Sequence, residues 1–175
     1  MTKPYIYVKI LKKEREKVEE SVEKAKAHLE KFGLCDRIIE FDVSSATVAL
    51  AAQALGVKEA KIAKSLGFLT PDGAIIVVMA GDAKADNAKF KATFNTKAKM
   101  IPFEEVEAVV GYAAGGVCPF GINDGIKVYL DESLRRFDVV YPAAGTASSA
   151  VRLTVNELLI SSGAVGFVDI SKLPI

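Results

Sequence analysis

Histidine is nearly absent from this sequence: His28 is its single copy. It stands in a highly charged stretch of helical periodicity, beside an apolar stripe, where a general base would lack an oriented setting. With His28 set aside, no Ser, Thr or Cys has an imidazole partner, so triad chemistry finds no support. H-E-x-x-H and clusters of Cys and His are missing, which argues against zinc hydrolysis, and no metal is expected. Neither G-x-x-x-x-G-K-[ST] nor G-x-G-x-x-G occurs, so nucleotide hydrolysis and dinucleotide redox chemistry lack their phosphate cradles, and no cofactor is expected. The two cysteines, Cys35 and Cys118, lie too far apart to suggest a disulfide framework. No apolar run approaches the roughly 20 residues that span a bilayer. The opening Met1-Thr2-Lys3-Pro4 has no basic-apolar-small order of a signal peptide. A cytoplasmic protein without a membrane partner is the expectation.

What is present is globular. At 175 residues, half of them hydrophobic, the chain suits one ordinary domain with a real core. Its net charge of +1 is unevenly spread, with +5 over residues 1–99 and −4 over residues 100–175. A basic half can offer phosphates a footprint; a solvated, lysine-rich surface explains it equally well. The densest basic stretch carries Lys84, Lys89, Lys91, Lys97 and Lys99 against Asp82 and Asp86, and is the first place to seek contacts with RNA.

Local patterns predict a strand over Tyr5–Leu11, with Ile6, Val8 and Ile10 on one face. A charged helix follows, with a stripe of Val18, Val22, Ala25, Leu29 and Phe32 ending at Gly33. A strand is expected over Ile38–Val43, then a helix from Ala46 to Leu55 capped by Ser44 or Ser45. A short helix is expected over Lys58–Ser65, which would turn Lys64 toward solvent. Leu66–Thr70 and Ala74–Ala80 flank Pro71-Asp72-Gly73 and read as a hairpin. Helices over Asp86–Phe94 and Phe103–Val110 bracket a short strand at Ala98–Ile101. Asn123-Asp124-Gly125 suggests a second hairpin before the strand Ile126–Leu130. A short helix over Asp131–Arg136 and a strand over Val139–Pro142 follow, then a flexible loop over Ala143–Ser149. A strand at Val151–Leu153, a helix over Val155–Ser161 capped by Thr154, and a strand over Gly166–Ile170 close the chain. Without a regular βαβ rhythm, these elements imply an α+β fold: a single domain whose curved, mixed, mostly antiparallel sheet is surrounded by helices.

The richest local motif is Gly115-Gly116-Val117-Cys118-Pro119-Phe120-Gly121. Glycine lets a backbone approach another molecule closely, and proline stiffens the turn that follows. Consecutive amides from Gly116 to Cys118 could then converge on an anion or a polarised carbonyl; a tight helix-to-strand turn is the plainer alternative. Cys118 would be a tempting nucleophile, but no base accompanies it.

This loop resembles the G-x-x-x-P loop of the YbaK/prolyl-tRNA-synthetase-associated editing domains, a family of trans-editing aminoacyl-tRNA deacylases. Thr47 to Val57 resembles that family's small-residue helix ending in L-G-V, and Ile62-Ala63-Lys64-Ser65-Leu66 its I-x-K-[ST]-L segment. Gly81-Asp82 with Asp86 and Lys89, Ala143-Ala144-Gly145 and Val168-Asp169-Ile170 also fit, in order, over about residues 40–172. The resemblance implies a single editing domain with an N-terminal strand-helix extension, residues 1–35, to which no role is attached. It implies that the Gly115–Pro119 loop (Gly115, Gly116, Val117, Cys118, Pro119) stabilises an oxyanion and that Lys64 holds the terminal adenosine. Thr47, Gly145, Thr146, Ser148 and Ser149 would close the substrate pocket. The implied function is hydrolysis of mischarged tRNA, with tRNA for proline favoured and the terminal ribose hydroxyl assisting. Aminoacyl-tRNA is the implied partner, an aminoacyl-tRNA synthetase a second candidate, and DNA is not expected. Ser148, Ser149 and Ala150 stand where some relatives carry an acidic residue, which leaves the amino acid open. A non-catalytic RNA- or nucleotide-binding module, or a site for another small carbonyl or anionic ligand, would use the same cleft.

Overall fold

Pro71 and Asp72 turn the chain back on itself, and the strands they join pair antiparallel from Thr70↔Gly73 to Ala63↔Ala80. A computed structural model describes residues 3–175. Helix α1 (Lys3–Glu30), strand β1 (Ile38–Glu40), helix α2 (Val48–Leu55) and the hairpin strands β2 (Ile62–Thr70) and β3 (Gly73–Ala80) come first. Next are β4 (Lys84–Ala85), α3 (Asn87–Phe94), α4 (Val106–Val110), β5 (Lys127–Asp131) and β6 (Val139–Pro142). The chain closes with β7 (Ser149–Val151), β8 (Leu153–Thr154), α5 (Val155–Ser161), β9 (Phe167–Val168) and β10 (Ser171–Lys172).

The main sheet runs β8-β6-β2-β3-β5-β9, and two small ribbons, β1-β7 and β10-β4, flank it. Antiparallel pairing joins β2–β3, β6–β8, β1–β7 and β4–β10; parallel pairing joins β2–β6, β3–β5 and β5–β9. The expected single α+β domain with a mixed sheet is what forms; antiparallel pairings lead four to three over the whole molecule, and parallel ones lead three to two within the main sheet. Within β3, Ile76, Val77, Val78, Met79 and Ala80 are all fully buried. A strand covered on both faces needs apolar side chains at successive positions rather than alternate ones, which explains the unbroken run. Phe68 stacks near Phe90, Phe90 near Phe94 and Phe94 near Tyr129, with ring centroids 4.8, 4.8 and 5.1 Å apart, tying α3 to β2 and β5. Among the described residues no helix is long and apolar enough to cross a membrane.

Four local expectations are corrected. Tyr5–Leu11 is not a strand but lies within the 28-residue helix α1. No Gly or Pro occurs from Tyr5 to Phe32, and helix extension adds a hydrogen bond per residue once begun. Lys58–Ser65 is not a helix: a 3-10 turn at Glu59–Lys61 leads straight into β2. Ala63 pairs with both Ala80 and Pro142, and this two-sided pairing outweighs local helical preference. The Asn123-Asp124-Gly125 turn closes no hairpin, because β5 runs parallel to β3 and β9. Asn123 instead caps α4, its Nδ2 donating to Ala108 and Val109 carbonyls at 3.1 and 3.0 Å. The Ala143–Ser149 loop is buried and hydrogen-bonded along much of its length rather than flexible.

Smaller differences share a cause. Thr47, not Ser44 or Ser45, caps α2 by accepting from the Leu50 amide at 3.2 Å. Ser45 is drawn to the 143–149 loop, its hydroxyl donating to Ala147 O at 2.6 Å. Ala98–Ile101 shrinks to a single bridge, Met100 to Phe68. In α1 the apolar stripe is buried at Val22, Ala25 and Leu29, while Val18 and Phe32 are exposed.

Candidate active site

A cavity of about 480 Å³ opens between α2, β2 and two loops, residues 113–121 and 143–149. Ser45, Thr47 and Val48 enter its wall from the start of α2, and Ile62 to Gly67 from β2. Ala114, Gly115 and Val117 come from the glycine loop, and Thr146 and Ser149 from the facing loop. Met100, Ile101, Phe103 and Val106 make an apolar lip, on which Phe103 is 79% exposed. Among the described residues, no Asp, Glu, His or Cys belongs to the wall.

Lys64 sits on β2, half-buried, with Nζ donating to the carbonyls of Gly81, at 3.2 Å, and Ala83. An ammonium has three donors, so one remains for a ligand. Burial lowers its pKa, with Asp82 opposing the shift and Lys84 adding to it. Asp82 is itself gripped by Arg136 through contacts of 2.6 and 3.0 Å, which hold its carboxyl below the usual range.

The two loops touch through backbone. A Cβ on Gly116 would lie 2.5 Å from Gly145 O, a distance no side chain tolerates. Gly145 has φ +91°, and a Cβ there would lie 2.6 Å from Ser21 O of α1. Helix α1 therefore backs both loops, and Lys24 reinforces it: Nζ donates to Gly111 O at 2.5 Å and lies 4.0 Å from the centre of the Tyr112 ring. The Gly116 amide already donates to Ala113 O at 3.0 Å. Among the described residues no protein acceptor takes the amides of Gly115, Val117 or Cys118.

Cys118 is fully buried, and burial pushes its thiol up to about 12. A thiol that stays protonated near neutrality is a packing group, not a nucleophile. Tyr112, also fully buried, donates its hydroxyl to Phe120 O at 2.5 Å, closing the loop from behind. His28 lies away from the wall, with Nε2 donating to Ser161 O at 2.6 Å.

Of the residues singled out from sequence, Lys64, Gly115, Val117, Thr47, Thr146 and Ser149 share the cavity wall. Gly116, Cys118, Pro119, Gly145 and Ser148 stand behind it as loop framework. The Thr146 and Ser149 hydroxyls lie 2.8 Å apart and satisfy each other. Lys84, Lys89, Lys91, Lys97 and Lys99 are exposed, and none lines the cavity. Lys89 is held by Asp169 at 2.9 Å and by Ser171 O at 2.8 Å, while Asp86 caps α3. Of the G-D…D…K residues, Lys89 thus ties α3 to Asp169 and Ser171, whereas Asp82 pairs with Arg136. Ser45, Ser65, Tyr141 and the lip residues Met100 and Phe103 were not anticipated in the wall. Only Ser65 had a sequence signal, as the residue after Lys64 in the motif.

The profile of the family described as "Aminoacyl-tRNA editing domain" matches residues 43–160. The chain is 43% identical over 153 residues to the uncharacterized protein YwhH of Bacillus subtilis (strain 168), covering 87% of this chain and 98% of the relative. It is 28% identical over 110 residues to EbsC of Enterococcus faecalis (strain ATCC 700802 / V583), a candidate Cys-tRNA(Pro)/Cys-tRNA(Cys) deacylase, covering 62% and 67% respectively. The crystal structure of a candidate trans-editing enzyme for prolyl tRNA synthetase superposes with TM-score 0.79 at 33% identity, over 87% of this chain and 97% of that one.

Proposed function

The chain belongs to the aminoacyl-tRNA editing domain family, and from that premise we propose that it hydrolyses the ester of mischarged tRNA in trans, with tRNA for proline as the first carrier to test. The observation that carries this reading is the chemistry of the cavity wall: amides, hydroxyls and one half-buried lysine, with no carboxylate, imidazole or thiol. Such a wall lacks a base for a general hydrolase. It suits an ester that brings its own proton acceptor, and aminoacyl-tRNA does, through the ribose hydroxyl beside the ester.

In this scheme the free amides of Gly115 and Val117, both in the wall, receive the carbonyl oxygen as water adds, while the Gly116 amide keeps the turn and Cys118 packs behind it. Lys64 directs its third N–H to a phosphate or ribose oxygen of the terminal adenosine. Thr47, Thr146 and Ser149 bound the pocket, and the exposed lysines of residues 84–99 are candidate contacts for the acceptor stem. Residues 1–175 act as one editing unit, with α1 as the buttress of its loops, and a synthetase is a candidate source of tRNA. A panel of mischarged tRNAs tests the activity; binding without turnover of any would make the chain an RNA- or nucleotide-binding module. A tRNA whose terminal adenosine is 2′-deoxy and 3′-charged tests the mechanism, with an expected single-turnover loss of about 10²–10⁴-fold. Full-speed hydrolysis of that substrate would require a base on the enzyme and refute the scheme.

A further inference from the structure

Phe103 is an anomaly of this cavity: it is 79% exposed on the lip, beside Met100, which is 56% exposed. Rings elsewhere find partners. Phe68, Phe90, Phe94 and Tyr129 stack in a chain, and Phe167 lies under Arg135. Among the described residues Phe103 has no ring or cation against it. Its exposure does not come from a loose backbone. Ile101, buried, donates its amide to Gly67 O at 3.0 Å, and Pro102 O accepts from the Glu105 and Val106 amides at 2.9 and 3.2 Å. Proline also fixes its own backbone angle just before the ring. The fold thus holds a bare aromatic face in water at the cavity mouth, where burial would have been favourable. Upstream in the chain, Lys97 and Lys99 are exposed, and neither side chain has a partner among the described residues. Downstream come Glu104 and Glu105, also exposed.

We propose that Phe103 is a stacking platform for an unpaired base at the 3′ end of tRNA, with Met100 extending its apolar face and Lys97 and Lys99 receiving the neighbouring phosphates. The inference rests on the reading above that an aminoacyl-tRNA end enters this cavity, and it names the surface that guides the end in. A nucleobase suits the platform because every base has a flat π-face, which a fixed aromatic ring receives whatever the base. The charge pattern selects the same occupant. Phosphates are drawn to Lys97 and Lys99 and turned away from Glu104 and Glu105. The strand therefore runs over residues 97–100, and its end passes into the cavity that Met100 and Phe103 share with Lys64. A protein partner fits less well, since the core of such an interface is depleted in charge, and here two lysines precede the ring and two glutamates follow it.

The chain has no tryptophan, so Phe103→Trp adds a single emitter at the lip. Uncharged tRNA for proline should quench it, and the same tRNA lacking its unpaired 3′ nucleotides should not. Phe103→Ala and Phe103→Leu should each weaken binding of intact, 5′-labelled tRNA by about 10-fold in fluorescence anisotropy, without a lower melting temperature. Leucine keeps apolar area but has no π-face, so it separates stacking from simple apolar contact. Lys97→Ala and Lys99→Ala should each flatten the plot of log affinity against log salt by about 0.7, and Glu104→Gln should bind no more weakly than wild type. On mischarged tRNA, Phe103→Ala should raise KM and keep kcat. Equal quenching by the truncated tRNA, wild-type affinity in Phe103→Leu, unchanged salt slopes or weaker binding in Glu104→Gln would each overturn the platform. So would wild-type RNA affinity in Phe103→Ala joined to lost binding of a proline synthetase, which would make the lip a protein-docking surface. Quenching by intact tRNA without turnover of any mischarged tRNA would sink the deacylase reading and leave the platform standing. Turnover without quenching would do the reverse, and a failure to bind tRNA at all would overturn both.

Discussion

Strand β3 and the paired loops at 113–121 and 143–149 are both largely closed to water, by opposite means. In β3 large apolar side chains fill both faces, so Ile76 to Ala80 are fully buried. Between the loops it is missing side chains that allow burial, with Gly116 against the Gly145 carbonyl and Gly145 against Ser21. A side-chain core tolerates gradual erosion, since a removed methylene leaves a cavity of graded cost. A backbone contact has no such tolerance, since the smallest possible addition already collides. The fold's stability and the site's geometry thus rest on different kinds of contact.

Gly116→Ala should have the largest effect on the site. Its Cβ must push Gly145 aside and shift the loop's donors, and losing an aligned oxyanion donor lowers the rate by roughly 10²–10³-fold. Gly115→Ala should cost less in rate, because its Cβ meets only the Ala46 and Ala147 methyls at 3.6 Å, although φ +92° still strains it. Single-turnover deacylation by the two variants settles the order. Ile76→Ala should do the reverse, lowering stability by about 2–5 kcal/mol in thermal or urea unfolding while the folded protein keeps its rate.

Lys64 belongs to the sheet by position and to the cavity by chemistry. Lys64→Met keeps the apolar stem and removes the charge, and should slow deacylation by about 10–100-fold, the worth of a hydrogen bond to a charged group. Lys61→Met should leave the rate nearly unchanged; equal effects of the two would remove Lys64 from the mechanism. The smallest effect is expected at the surface pair Asp82–Arg136. The folded-state pKa of Asp82 lies below 3.8, chiefly through its hydrogen bonds from Arg136. Its stabilisation is present above that value and is lost as pH falls through the lower, folded-state pKa. Arg136→Met should abolish this increment, about 1 kcal/mol or less for so exposed a pair, in unfolding curves taken on either side of pH 3.8.

Much of the fold was legible where one local rule acted alone. The hairpin at Pro71-Asp72 and the caps at Asp86 and Thr154 each follow from residues adjacent in sequence. The misread elements are those in which distant residues outvoted local preference. Ile62 pairs with Tyr141, Lys127 pairs with Ile75, and Tyr5–Leu11 continues into a helix that buries Val22, Ala25 and Leu29. At the site, motif resemblance singled out Lys64, Gly115, Val117 and Thr47, which the fold assembles in one wall. It could not reveal that the Gly116 amide is taken by Ala113. Whether a donor is free depends on the whole set of neighbours, and only the assembled chain defines that set. The lip at Met100 and Phe103 had no signal, because an exposed apolar residue in a loop looks the same in sequence whether or not it borders a cavity.

The buttress helix also has a history within each molecule. Ser21, Lys24 and His28 leave the ribosome well before the groups they rest on, since His28 meets Ser161, 133 residues later, and Lys24 meets Gly111, 87 residues later. Until those partners are made, the cover over Val22, Ala25 and Leu29 is incomplete, since loop closure over such spans precedes the contacts that offset it. A nascent chain halted before residue 111 should be cut by protease within α1, and one completed through residue 161 should resist. Helix α1 is thus locked only after residues 111 and 161 have been made, and the loops it supports gain their buttress only then.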